Sequence, residues 1–215
     1  MASVDQFLDY VLQHATDVPE DIIKFNVQEA VTDFLIDTRI ATDFHRFGMS
    51  DKVHDYVLDI PECRTILDIK RVIMGNPCDD TVDWIELKRT GTRQRVGYYQ
   101  DIDNDGEPSI WVGEPCENQQ VEVEYVYTVS RGGCEIPDFI YNKYARVIQY
   151  SVLSKLYLIP GQEWSNASIA SSYLQMYERE IAKIKRSTRK FEQGKLIAKP
   201  FIGRGGCCCF GGFFR

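Results

Sequence analysis

Apolar residues along this chain change their spacing twice, and that double change limits the available folds more than any other feature. From Pro19 onward, Ile23, Val27, Ala30, Val31, Phe34, Thr38, Ala41 and Phe44 recur every three or four positions until Gly48. This spacing predicts a helix of about seven turns with one apolar side. Between 52 and 130 the step falls to two. VHDYVLDIP puts Tyr56, Leu58 and Ile60 on one side, TVDWIELK repeats the pattern, and QVEVEYVYTV aligns Val121, Val123, Tyr125, Tyr127 and Val129, as half-buried strands do. Asn76-Pro77, Gly91, Gly97, Asn104-Asp105-Gly106 and Gly113 supply the turns between them. From Ile136-Pro137 the helical step returns. Ile140, Tyr144, Val147, Ile148, Ser151 and Val152 predict a helix to Leu158, which Ile159-Pro160-Gly161 breaks.

Two further helices complete the pattern. Ser3-x-x-Gln6 reads as a capping box opening a short one, with Val4, Phe7, Leu8 and Val11 on its apolar side. The other spans 164–193. Ser165 or Asn166 caps it, Ile169, Ala170, Tyr173, Leu174, Tyr177, Ile181 and Ile184 form its stripe, and Gly194 ends it. Arg179, Lys183, Lys185, Arg186, Arg189 and Lys190 gather toward its C-terminus, where cations suit the helix dipole. The expected fold is therefore α+β, a helical bundle formed from the N- and C-terminal helix pairs, with an inserted antiparallel β-rich module and an extended C-terminal arm. Expected boundaries are 1–50 and 135–193 for the two helix pairs, 51–134 for the module and 194–215 for the arm.

Charge is unevenly placed. Residues 179–215 hold ten Lys and Arg against Glu180 and Glu192, a balance of +8, so a net charge of −7 leaves −15 on residues 1–178. A purely electrostatic DNA binder has a basic body, and this body is acidic. Seven cysteines with no C-x-x-C pair suggest reduced thiols in a cytoplasmic compartment, and the N-terminus lacks the plan of a signal peptide. No apolar run reaches the ~18–20 residues of a membrane helix, so no membrane partner is expected.

Each chemical motif has a plainer rival. Asp101-x-Asp103-x-Asp105-Gly106 copies the front of a calcium loop, but Val112 stands where a bidentate Glu is needed, which favours the plainer reading of Asn104-Asp105-Gly106 as a tight hairpin turn. Cys207, Cys208 and Cys209 could hold a soft metal or react as thiolates near Lys199 and Arg204, or pack as small apolar residues. His14, His45 and His54 stand far apart, and no Walker loop, G-x-S-x-G or H-E-x-x-H occurs. Asn166-Ala167-Ser168 spells a glycosylation sequon, with no secretory route to use it. The basic helix end and tail read either as a solvated terminus or as an arm ordered against a partner. Phe201, Ile202, Phe210, Phe213 and Phe214 among glycines favour the arm.

Three stretches resemble the head-to-tail adaptor proteins of tailed bacteriophages, the connector or tail tubular proteins of short-tailed phages. They are PEDIIKFNVQEAVTDFLIDT at 19–38, Glu135-Ile136-Pro137-Asp138 ahead of a helix, and 156–177. The last has a Leu-x-Leu ending, Pro160-Gly161, Trp164 and two tyrosines at helical spacing. Tyr150-Ser151 departs from the glycine-alanine step of many relatives, and the three-cysteine run is foreign to the family. The resemblance implies a non-enzymatic virion protein of the head–tail junction, assembled in the bacterial host cytoplasm without cofactor or metal. It implies a dodecameric homo-oligomeric ring between the portal protein and the tail nozzle or tail tube proteins, with genome DNA passing through without sequence-specific binding. On that reading the portal-docking residues are Lys195, Lys199, Phe201, Arg204, Phe210, Phe213, Phe214 and Arg215, and the tail-contact hairpin presents Tyr99, Asn104, Asp105 and Trp111. The alternatives are a nucleic-acid-binding protein using the basic 179–204 segment and, last, a thiol or metal enzyme built on the three cysteines.

Overall fold

Ser3 Oγ accepts the Asp5 N–H at 3.2 Å and starts a 3-10 turn, Val4–Phe7, that passes directly into α1, Leu8–Leu12. These coordinates are a computed structural model, which describes residues 2–50, 52–75, 85–94, 97–102, 108–113, 119–130 and 136–197. Next comes α2, Glu20–Thr38, whose first bond runs from Ile23 N–H to the Pro19 carbonyl at 3.2 Å. Then follow β1 (Thr42–Gly48), β2 (Asp55–Val57), β3 (Arg64–Gly75), β4 (Ile85–Leu87), β5 (Tyr98–Ile102), β6 (Pro108–Val112) and β7 (Gln120–Val129). The chain closes with α3 (Asp138–Leu158) and α4 (Ala167–Ile197).

One unit consists of Met1–Ala41, Glu62–Thr65 and Tyr127–Ile197. Its core is the meeting of α2, through Ile23, Val27, Val31, Phe34 and Leu35, with α3, through Ile140, Ile148, Val152, Leu153 and Leu156, all fully buried. Phe34 lies 5.1 Å from the Tyr144 ring, and Phe7 meets Tyr141 edge-on at 5.3 Å. The end of β7 is tied to α2 by two buried hydroxyls. Thr32 donates to the Val129 carbonyl at 3.2 Å, and Thr128 donates to the Thr32 carbonyl at 3.3 Å.

The expected bundle of two helix pairs does not form. The described residues form instead a mixture of four helices and two antiparallel sheets. The N-terminal member of the first pair is a turn plus five residues, too short to present a helical face, since an isolated helix needs about 12–15 residues even in a favourable sequence. Its long partner also stops early. Arg39 takes the left-handed conformation, φ 52°, and its N–H bonds to the Leu35 carbonyl at 2.9 Å, an αL stop. Residues 42–48, expected as helix, are strand β1, paired from Thr42 with Val126 to Gly48 with Gln120. Phe44, which matched the helical step, is half exposed there. At the other end α4 runs through Gly194 to Ile197 rather than ending at the glycine.

The second unit, Thr42–Pro61 with Ile66–Val126, holds a four-stranded sheet ordered β1-β7-β3-β4 and a three-stranded sheet ordered β2-β6-β5. Its core takes Val121, Val123, Ile69, Val72 and Met74 from the first sheet and Tyr98, Ile110 and Val112 from the second, with Leu58 and Met49 between strands. The sequence points to 53–61 as one strand, but only Asp55–Val57 pair. Strand β3 was not foreseen. The two sheets meet at one corner, where Tyr98 N–H bonds to the Lys88 carbonyl at 3.0 Å and Thr90 N–H to the Tyr98 carbonyl at 2.9 Å. Gly97 makes that corner possible: its φ is +112°, and a Cβ there would stand 2.3 Å from the Lys88 carbonyl oxygen.

Candidate functional site

Asn166 caps α4 by accepting the Ile169 N–H on its side-chain oxygen at 3.1 Å, so α4 starts a few residues after α3 ends and packs back along it. Ala170, Tyr177 and Ile181 are its buried contacts. Leu174 and Ile169, also in the expected stripe, are exposed. The stripe therefore splits: its centre faces the helical core while its shoulders stand open.

On the Leu174 shoulder lies a cleft of about 380 Å³ among α2, α3 and α4, lined by Asp33, Ile36, Asp37, Ser151, Ser154, Lys155, Leu158, Leu174 and Tyr177. Ile36 (46%), Leu158 (57%) and Leu174 (42%) give it an open apolar floor. Its polar groups hold one another in place. Lys155 Nζ sits 2.7 Å from Asp33 and 3.6 Å from Glu29. Asp37 receives Lys185 Nζ at 3.4 Å and the Tyr177 hydroxyl at 3.4 Å. Burial, with Asp37 and Asp33 beside it, pushes the Tyr177 phenol far above its ordinary value, so this hydroxyl stays protonated and donates. Such a cleft can seat an apolar side chain and orient a cationic or donor group at its acidic edge.

The residues expected from sequence do not gather here. Tyr99 and Trp111 stand opposite each other in the β5–β6 pair, while Asn104 and Asp105 lie outside the described residues. Lys195 is in the final turn of α4. Lys199, Phe201, Arg204, Phe210, Phe213, Phe214 and Arg215 lie outside the described residues, as do Cys207, Cys208 and Cys209. Val112, at the last position of the calcium-loop pattern, is buried in the second unit's core. His54 stacks on Trp111 at 5.5 Å and donates from Nδ1 to the Val112 carbonyl at 2.9 Å. His14 lies beside Tyr173, ring to ring 6.3 Å, and His45 lies beside Phe47 at 5.8 Å.

Sequence reasoning missed Ile36, Leu158, Asp33, Asp37 and Lys155. One signal was present: Phe25 and Ile36, eleven residues apart, are large apolar residues off the buried stripe of α2, and both are exposed. No protein-family model matches the chain, and no curated protein matches it.

Proposed function

We propose that this chain is a structural virion protein, a head-to-tail adaptor whose subunits form a ring between the portal and the tail nozzle of a short-tailed phage. The observation carrying this reading is that the three stretches with the adaptor resemblance come together. Residues 19–38 are α2 with its N-cap Pro19, Pro137 is the N-cap of α3, and 156–177 contains the end of α3 and the start of α4. These three helices pack in a single unit. The ring, its dodecameric count, the genome passage and the virion location belong to the same proposal.

The segment beyond α4, 198–215, is the proposed portal-docking arm, with Lys195 in the last helical turn at its base. Fixing a backbone on a partner costs about 1–2 kcal/mol per residue, and each buried phenylalanine returns only ~1.5–3 kcal/mol. Four aromatics are therefore insufficient for one arm, and many arms acting together around a ring supply the remainder. Strands β5 and β6 are the proposed tail contact. Negative-stain electron microscopy of the purified chain, alone and mixed with portal rings from the same genome, tests the reading. Rings stacked coaxially on the portal are expected. A chain that ignores the portal and binds DNA tightly, with steep salt dependence, would instead be a nucleic-acid-binding protein using 179–204.

A further inference from the structure

Two open apolar surfaces flank α4, and they differ. The cleft side carries Leu174 with Ile36 and Leu158. The other side carries Ile169 and Met176, 40% and 44% exposed. These are seven residues apart and so on one line of the helix. Leu174 is five residues from Ile169, about 140° around the axis, with buried Ala170, Tyr177 and Ile181 on the arc between them.

We infer that copies of this chain associate head to tail, the Ile169 and Met176 side of one copy seated in the α2–α3–α4 cleft of the next. Both surfaces are apolar at their centres, and methionine adapts to an irregular groove. Their charges are complementary in net sign. At the cleft Glu29, Asp33 and Asp37 outnumber Lys155 and Lys185 by one, while Arg179, Lys183 and Arg186 continue the Met176 side toward the C-terminus and outnumber Glu180, the acid bonded to Lys183, by two. Because the two surfaces are different patches of one molecule, the contact is heterologous and repeats from copy to copy, closing into a ring when the rotation allows. The patch is too small for a whole interface, which buries about 800 Å² per partner, so it acts as the central anchor.

This inference deepens the ring reading, and the two fail separately. Leu174→Glu blocks the cleft and Met176→Glu blocks the strip. Both positions are exposed, and circular dichroism checks that each variant keeps its helices. Sedimentation velocity of the full chain over a concentration series should show assembly of the wild type. Each variant alone should lose at least tenfold in association constant, equivalent to ~1.4 kcal/mol. An equal mixture should form a dimer and nothing larger, because it contains one intact cleft and one intact strip. If both variants still form rings, alone or on the portal, the ring reading stands and this contact is overturned. Loss with Leu174→Glu but not with Met176→Glu gives the cleft a different occupant, the 198–215 segment or another protein, and also overturns it. A wild type that stays monomeric at its highest soluble concentration overturns it as well, and a portal that gathers no ring removes the ring reading too.

Discussion

Gly97→Ala probes the corner at which the two sheets of the second unit meet. The glycine has φ +112°, and the new Cβ would stand 2.3 Å from the Lys88 carbonyl oxygen. That oxygen is backbone, so no rotamer change relieves the overlap. It also accepts the Tyr98 N–H, so any movement away weakens the bond joining β5 to the end of β4. Positive φ costs an alanine about 1–2 kcal/mol, and losing the bond adds about 0.5–1.5 kcal/mol. With residual overlap the expected loss is about 2–4 kcal/mol. Gly161→Ala is the control. Its φ is +76° with nothing within 4 Å of the added Cβ, so only the conformational cost of about 1–2 kcal/mol applies. Urea unfolding gives the totals, and hydrogen exchange at 85–89 and 98–102 shows whether the loss is local to the corner. If Gly97→Ala costs no more than Gly161→Ala, the close approach is not a constraint and the reasoning fails.

Lys155→Met removes a partly exposed cation shared by Asp33 and Glu29; a loss below about 1 kcal/mol that shrinks in high salt is expected in urea titrations. Tyr177, held protonated in the folded chain by burial and then by Asp37 and Asp33, contributes stability that is fully present below the ordinary tyrosine value of 10.0 and is lost as pH rises beyond it. Unfolding midpoints should therefore fall above about pH 10, and Tyr177→Phe should flatten that fall; an unchanged alkaline slope would count against it. Removal of 200–215 should leave a folded protein with wild-type circular dichroism that no longer joins heads, and infectious particles at normal yield would disprove the docking arm. The acidic body, −15 over 1–178, should line a channel that lets DNA slide. Submicromolar binding in an electrophoretic assay at physiological salt would contradict that.

The long helices were legible where burial and period agree. Ile23, Val27, Val31 and Phe34 are spaced by the helix and fully buried, so α2 could be read as far as Thr38. Beyond it, Ala41 and Phe44 keep the step by coincidence. Only the pairing of 42–48 with β7 decides for strand, and that partner lies some eighty residues away. Strand β3 was hidden for a related reason. Its buried residues Ile69, Val72 and Met74 do not keep a step of two, and Asp68 and Arg71 among them are matched by Arg89 at 2.9 Å and Glu124 at 3.5 Å, residues supplied by neighbouring segments. The cleft was illegible because Leu174 and Tyr177 of the α4 stripe meet there with Asp33, Ile36 and Asp37 of α2 and Lys155 and Leu158 of α3, which lie outside their own helices' stripes. A single-helix pattern counts Ile36 and Leu158 as scattered surface apolar residues, which are ordinary in any protein.

Helix α4 continues through Gly194, and that continuity makes its last turn a length reserve. Glycine weakens a helix interior by about 0.5–1 kcal/mol relative to alanine, so the final turn is the cheapest part of α4 to unwind. A helical residue advances the chain 1.5 Å and an extended one about 3.3 Å. Unwinding the four residues from Gly194 to the helix end at Ile197 would pay out about 7 Å of additional chain ahead of the proposed docking segment. Attachment would then tolerate a partner seated slightly too far away, and Gly194→Ala should shorten that tolerance without touching a single docking contact.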